Sequence, residues 1–145
     1  MSCVIHFVGD DARIEELATL VPVADFEVFR KGEARSNRPS AIKHRTSGIR
    51  FRASDADFDD LELQQAQTLA FLQSHSQALA AMRQVTGVER AGADFGISML
   101  NVIVQSDTFR VDLLLQLARL GLTLTLSQYP TEGRNKKLKQ YRREL

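Results

Sequence analysis

The sequence predicts an α+β domain with a largely antiparallel sheet and three helices, in the order β-α-β-β-α-β-β-α-β. Three observations lead there. The chain of 145 residues is the length of one ordinary domain. Its 43% apolar and 26% charged residues are globular proportions, which set aside disordered, fibrous and disulfide-framework classes. Short alternating segments also share the chain with longer stretches of helical period, and Gly and Pro punctuate them.

Residues 3–8 read as a short apolar strand. Asp10 or Asp11 then stands where a helix N-cap would, ahead of Ile14, Leu17, Leu20 and Val21 on one helical face. From Ala24 to Arg30, Phe26, Val28 and Arg30 alternate with Glu27 and Phe29, and Lys31-Gly32-Glu33 breaks the run. Residues 34–47 hold Asn37-Arg38-Pro39-Ser40 and no sustained period, so a long mobile loop is expected before a strand from Gly48 to Ala53.

The acidic cluster Asp55 to Asp60 leads into a helix of about seven turns with Leu61, Leu69, Leu72, Leu79 and Met82 as its apolar stripe, stopped by Thr86-Gly87. Val88 to Gly96 and Ser98 to Gln105 read as two strands. Ser106-Asp107-Thr108 is placed to cap a last helix carrying Val111, Leu114, Leu115, Leu117 and Ala118; Gly121 ends it, and Leu122 to Tyr129 alternates up to Pro130. This order fits a sheet with helices on one face, of ferredoxin-like or related split β-α-β type.

A degenerate internal duplication is also legible. Ile5, Phe7, Ile14 and Leu17 fall at a constant offset on Val102, Val104, Val111 and Leu114, although any two strand-cap-helix units share part of such a pattern. The expected core includes Ile5, Phe7, Leu17, Leu20, Phe26, Leu69, Leu72, Leu79, Leu114, Leu117, Leu122, Leu124 and Leu126. Residues 1–130 form the expected domain and 131–145 a basic tail.

Phe7-Val8-Gly9-Asp10-Asp11, Glu16-Leu17 and Phe29-Arg30-Lys31-Gly32-Glu33 together resemble the bacterial family of unknown function called DUF4279. The Gly48 strand start, the long middle helix and the closing pattern from Leu114 to Tyr129 extend that resemblance over most of residues 3–129. Where the family usually carries Trp, two residues after the glycine matching Gly48, this chain has Arg50. The resemblance implies a bacterial protein and brings no reaction, cofactor or catalytic residue with it.

The chemistry-bearing residues do not form a catalytic set along the sequence. Cys3 is the only cysteine, so no internal disulfide exists, and it reads as a small buried strand residue. His6, His44 and His75 have no metal-ligand spacing, and no nucleophile elbow or phosphate-binding glycine loop is present. Gly9-Asp10-Asp11 suits a cap better than a cation site. No cofactor, metal or catalytic residue is therefore assigned.

The net charge is +1, yet the charges are grouped. Between Arg30 and Arg52 stand eight Lys/Arg residues against Glu33 as the one acid. Arg35, Arg38, Lys43 and Arg45 are the binding candidates, and they point to a non-enzymatic domain that recognises another protein through this loop and the adjoining sheet edge. An antagonist such as an immunity protein is the analogy. The alternative is nucleic-acid or phosphorylated-ligand binding through the basic stretch 30–52 and the tail. The start lacks the basic and apolar stretch of a secretion signal, and no window is apolar enough to span a bilayer, so a cytoplasmic protein with no membrane contact is expected.

Overall fold

The computed structural model describes residues 2–130; the basic tail expected at 131–145 lies outside the described residues. The elements are β1 (Cys3–Gly9), α1 (Ile14–Leu20), β2 (Phe26–Phe29), β3 (Ser47–Ser54), α2 (Leu61–Ser74), α3 (Ser76–Arg83), β4 (Arg90–Met99), α4 (Val111–Arg119) and β5 (Thr123–Pro130). The domain is α+β, with a five-stranded sheet in the order β2-β3-β1-β4-β5. All neighbours are antiparallel except β4 and β5, which run parallel, so the sheet is mixed. Among the described residues no helix is long and apolar enough to cross a membrane.

Strand alternation divides the sheet into two faces. Cys3, Ile5 and Phe7 of β1, Ile49 and Phe51 of β3, and Ala91, Ala93 and Phe95 of β4 are buried in one cluster with Leu17, Leu72, Leu79, Met82, Leu113 and Leu117 from the helices. The opposite phase, Val4 and His6 against Arg52 and Arg50, with Gly92 and Asp94 beside them, lies on the face without helices.

Three expectations need correction. The long middle helix is two helices that meet at His75, whose backbone leaves helical values (φ −118°, ψ 21°) and whose ring packs on Phe71 at 4.6 Å. Ser74 and Ser76 flank the break, and both are weak helix formers. The two strands expected over 88–105 are the single strand β4. Ladder hydrogen bonds need a neighbour: β1 begins where Ser2 accepts from Gly96, and the last pairing with β5 among the described residues is Met99 with Pro130. The chain then turns, held by Gln105, which accepts from the Leu100 amide and donates to the Ser98 carbonyl. Among the described residues the fold thus has five strands and four helices, and in these details it departs from the ferredoxin-like expectation.

The third correction concerns α4. It buries Leu113, Leu117 and Leu120, whereas Leu114 is 44% exposed and Val111 79% exposed. Their expected counterparts Leu17 and Ile14 are buried, and Val102 and Val104 lie in a loop rather than a strand. Both halves of the proposed duplication therefore fail, since the helical phase and the strand differ. Of the other expected core residues, Leu20, Phe26, Leu124 and Leu126 are only partly buried against the core, and Ile5, Phe7, Leu17, Leu69, Leu72, Leu79, Leu117 and Leu122 are buried.

Caps also differ from expectation. Asp60 does cap α2, accepting from the Leu63 amide at 3.0 Å. Neither Asp10 nor Asp11 caps α1, which begins after Arg13, and Asp107 does not cap α4, which begins after Arg110. Instead the Gly9-Asp10-Asp11 turn is packed against the turn that ends α3: the Arg13 amide donates to the Thr86 carbonyl, and the Asp10 amide donates to Glu89.

Candidate functional site

The segment between β2 and β3 is an ordered hairpin rather than a structureless loop. The Gly32 amide donates to the His44 carbonyl, the His44 amide to Glu33, and the Arg35 amide to Ile42. Ala34 faces Lys43 as a β-bridge. At the tip the Ala41 amide donates to the Arg38 carbonyl, closing a turn with Pro39 at its second position, where a fixed φ suits the turn. Asn37-Arg38-Pro39-Ser40 was the sequence signal for that turn. The flanking strands carry no apolar alternation, because neither face of the ribbon packs on the core.

His44 fixes the base of this ribbon by stacking on Phe29 at 4.8 Å between ring centres. The Arg50 guanidinium lies 5.9 Å from the same ring. The four candidate residues Arg35, Arg38, Lys43 and Arg45 are all exposed on the ribbon, and none forms an ion pair with another described residue.

The other four cations of the stretch behave differently. Arg30 pairs with Glu15 at 2.8 Å and Lys31 with Asp10 at 3.7 Å. Arg50 pairs with Glu27, and Arg52 is held between Asp25 and Asp55. Acids from β2, from α1 and from the turns around the sheet therefore neutralise the cations at the ribbon's foot, leaving the net positive charge on the ribbon itself.

Beside the ribbon, the helix-free face of the sheet forms an open cavity of about 520 Å³. His6 is in its floor, and Glu27, Phe29, Arg50, Asp94 and Tyr129 are among its walls. Gly92 makes room for the imidazole, since a Cβ there would come within 3.1 Å of His6 Cε1. Burial pushes the His6 imidazole below the usual histidine range; the Asp94 carboxylate opposes that shift and the Arg90 guanidinium adds to it. Asp94 accepts from the Ser127 hydroxyl at 2.7 Å. The cavity thus holds a histidine biased toward its neutral form, among charges that mostly satisfy one another.

This groove was not legible in the sequence. Its residues come from five strands, and only the register places His6 between Arg50 and Gly92. The period-two phase of Val4, His6 and Val8 against Cys3, Ile5 and Phe7 was the one signal for it. Cys3 lies on the opposite, helix-covered face, where burial pushes its thiol up to about 12. At such a value the nucleophilic thiolate is scarce at neutral pH.

No protein-family model matches this chain, and neither the curated proteins nor the solved structures include a match to it.

Proposed function

We propose that this chain is a non-enzymatic recognition domain that binds an acidic surface of another protein through Arg35, Arg38, Lys43 and Arg45 and the adjoining β2 side of the sheet. One observation carries the reading: of the eight cations between Arg30 and Arg52, the four at the foot of the ribbon are ion-paired, while these four pair with no described residue. Unneutralised charge on a projecting hairpin accelerates encounter with an oppositely charged surface and repels wrong partners. An antagonist of a partner protein, immunity-like by analogy alone, is the kind of molecule this describes.

The ribbon favours a protein over a nucleic acid. Binding of single strands relies on aromatic faces open to bases. Here Phe51 is buried, and the Phe29 ring is taken by His44 and Arg50. Two of the segments behind the DUF4279 resemblance, 7–11 and 29–33, also meet at the ribbon's foot, through the Lys31–Asp10 pair, which supports reading that resemblance as kinship. The strands β2-β3-β1-β4, antiparallel and joined by helices after β1 and β3, support a split β-α-β core to which α4 and β5 are added.

The test is a pull-down from the native host comparing wild type with the Arg35→Glu, Arg38→Glu, Lys43→Glu, Arg45→Glu variant. The variant should keep its thermal midpoint, because exposed charges contribute little to stability, and should lose association rate by about tenfold or more. Equal recovery of the same partner by both proteins would remove the ribbon from the interface. Recovery of nucleic acid, lost steeply with salt, would favour the second reading.

A further inference from the structure

The edges of the sheet are unlike each other. β2 is four residues long and is flanked by the Arg50–Glu27 and Arg52–Asp25 pairs. Charges and short length are the usual protection of an edge strand against pairing with another chain. β5 is eight residues long, pairs only with β4 among the described residues, and carries no charged residue from Thr123 to Pro130. Its helix-side residues Leu124 and Leu126 are only partly buried, because nothing described lies beyond them.

Helix α4 continues this unprotected edge into the second layer. Leu113, Leu117 and Leu120 face the core, whereas Val111, Leu114, Leu115 and Ala118 are exposed. At 100° per residue these four form a contiguous second stripe. With the right-handed crossover that parallel β-α-β connections take, positions 111, 114 and 118 point past β5, away from α2. Polar Asp112, Gln116 and Arg119 occupy the other flank of the helix.

We infer that β5 and the outer flank of α4 form the interface of a two-fold symmetric homodimer, with β5 pairing antiparallel to β5 of a second copy and the two α4 helices packing behind the seam. Charge selects a second copy as the occupant. In an isologous contact every residue meets its own surroundings, so a charged edge would repel itself, whereas this one is uncharged across β5 and the α4 stripe. The geometry also closes on itself. The two-fold axis near Leu126 brings Leu114 and Leu115 over the middle of the seam, where they would cover Leu124 and Leu126 of both copies.

The size of the contact sets its strength. Eight residues at about 3.3 Å give a seam of about 26 Å, and two layers make it about 20 Å deep, so about 1,000 Å² is buried in total. That is at the low end for a specific interface, which corresponds to a dimer dissociating in the micromolar range.

Sedimentation velocity of the full chain from about 1 to about 300 μM should show a monomer–dimer equilibrium, and hydrogen exchange should show Leu124 to Gln128 gaining protection as the dimer forms. Leu114→Glu should weaken association by about tenfold or more, as should Thr125→Lys, which protects the edge by charge if the first variant does not fold. A monomer throughout the range would overturn the inference. So would concentration-independent protection of Leu124 to Gln128, because the chain would then cover its own edge. A dimer unaffected by either folded variant would place the contact on another face and overturn it as well. The ribbon lies at the far side of the sheet, so these outcomes are independent of the proposed function.

Discussion

Gln65 of α2 serves as the N-terminal cap of α4. Its carboxamide oxygen accepts from the Arg110 amide at 2.8 Å, and its Nε2 donates to the Thr108 carbonyl at 2.9 Å. Gln65 is 4% exposed, and both bonds are part-buried. Truncation takes the partner from the part-buried Arg110 amide and Thr108 carbonyl at once, and Gln65→Ala should therefore cost about 1–3 kcal/mol. Gln65→Glu keeps the acceptor and loses the donor, and it should fall between wild type and Gln65→Ala in chemical denaturation. If Gln65→Ala denatures at the wild-type midpoint, the cap contributes nothing.

Gly9 and Gly87 hold two backbones together. A Cβ on Gly9 would lie 1.8 Å from the Gly87 carbonyl oxygen, and one on Gly87, at φ +86°, would lie 2.1 Å from the Asp11 carbonyl oxygen. Rigid backbone is met in both directions, so Gly87→Ala combines left-handed strain with a clash and should cost more than about 2 kcal/mol. Gly32 has the same φ of +86° with nothing within 4 Å, and Gly32→Ala should cost about 1–2 kcal/mol through conformation alone. Equal midpoints for the two variants would show that the close approach adds no penalty.

The depressed His6 basicity has a consequence for acid stability. The folded state binds this proton less readily than the unfolded chain does, so the unfolded state carries more protons below the ordinary histidine range, and stability falls as pH falls. Between about pH 7 and about pH 5 the wild type should lose stability, and His6→Gln should lose less over the same interval. Glu15 and Asp112, held low by backbone and arginine hydrogen bonds respectively, contribute only in more acidic solution. Parallel pH profiles for wild type and His6→Gln would exclude His6 as the source of the slope.

Cys3 offers a probe of global unfolding. It is fully buried, with a thiol pushed up to about 12 by burial, an effect the Asp94 carboxylate reinforces. At pH 8 roughly one thiol in ten thousand is ionised, so a thiol reagent should modify the native protein only through opening of the core. Core-loosening variants such as Leu72→Ala should raise the labelling rate in step with their loss of stability, about 2–5 kcal/mol. Rapid labelling of the wild type without denaturant would contradict the placement of Cys3.

Much of the architecture was determined locally by the sequence. Alternation located β1, β3 and β5, and Gly and Pro located the turns. The composition set aside non-globular classes, the mixture of strand and helical periods pointed to α+β, and the clustered cations singled out Arg35, Arg38, Lys43 and Arg45 before any contact was known. Tertiary structure decided the rest, because those features depend on groups far apart in the chain. Ser98 to Gln105 is apolar and β-branched enough to read as a strand, yet among the described residues pairing stops at Met99, past the point where β1 begins. Leu114 fits an apolar stripe as well as Leu113 does, and only packing against the sheet chose between the two phases. The α4 cap comes from a residue 45 positions away. Which cations of the basic stretch stay unneutralised was likewise decided by acids on β2, α1 and the surrounding turns. A local pattern specifies what a segment can form, and hydrogen-bond and charge partners from elsewhere in the fold select which of those forms exists.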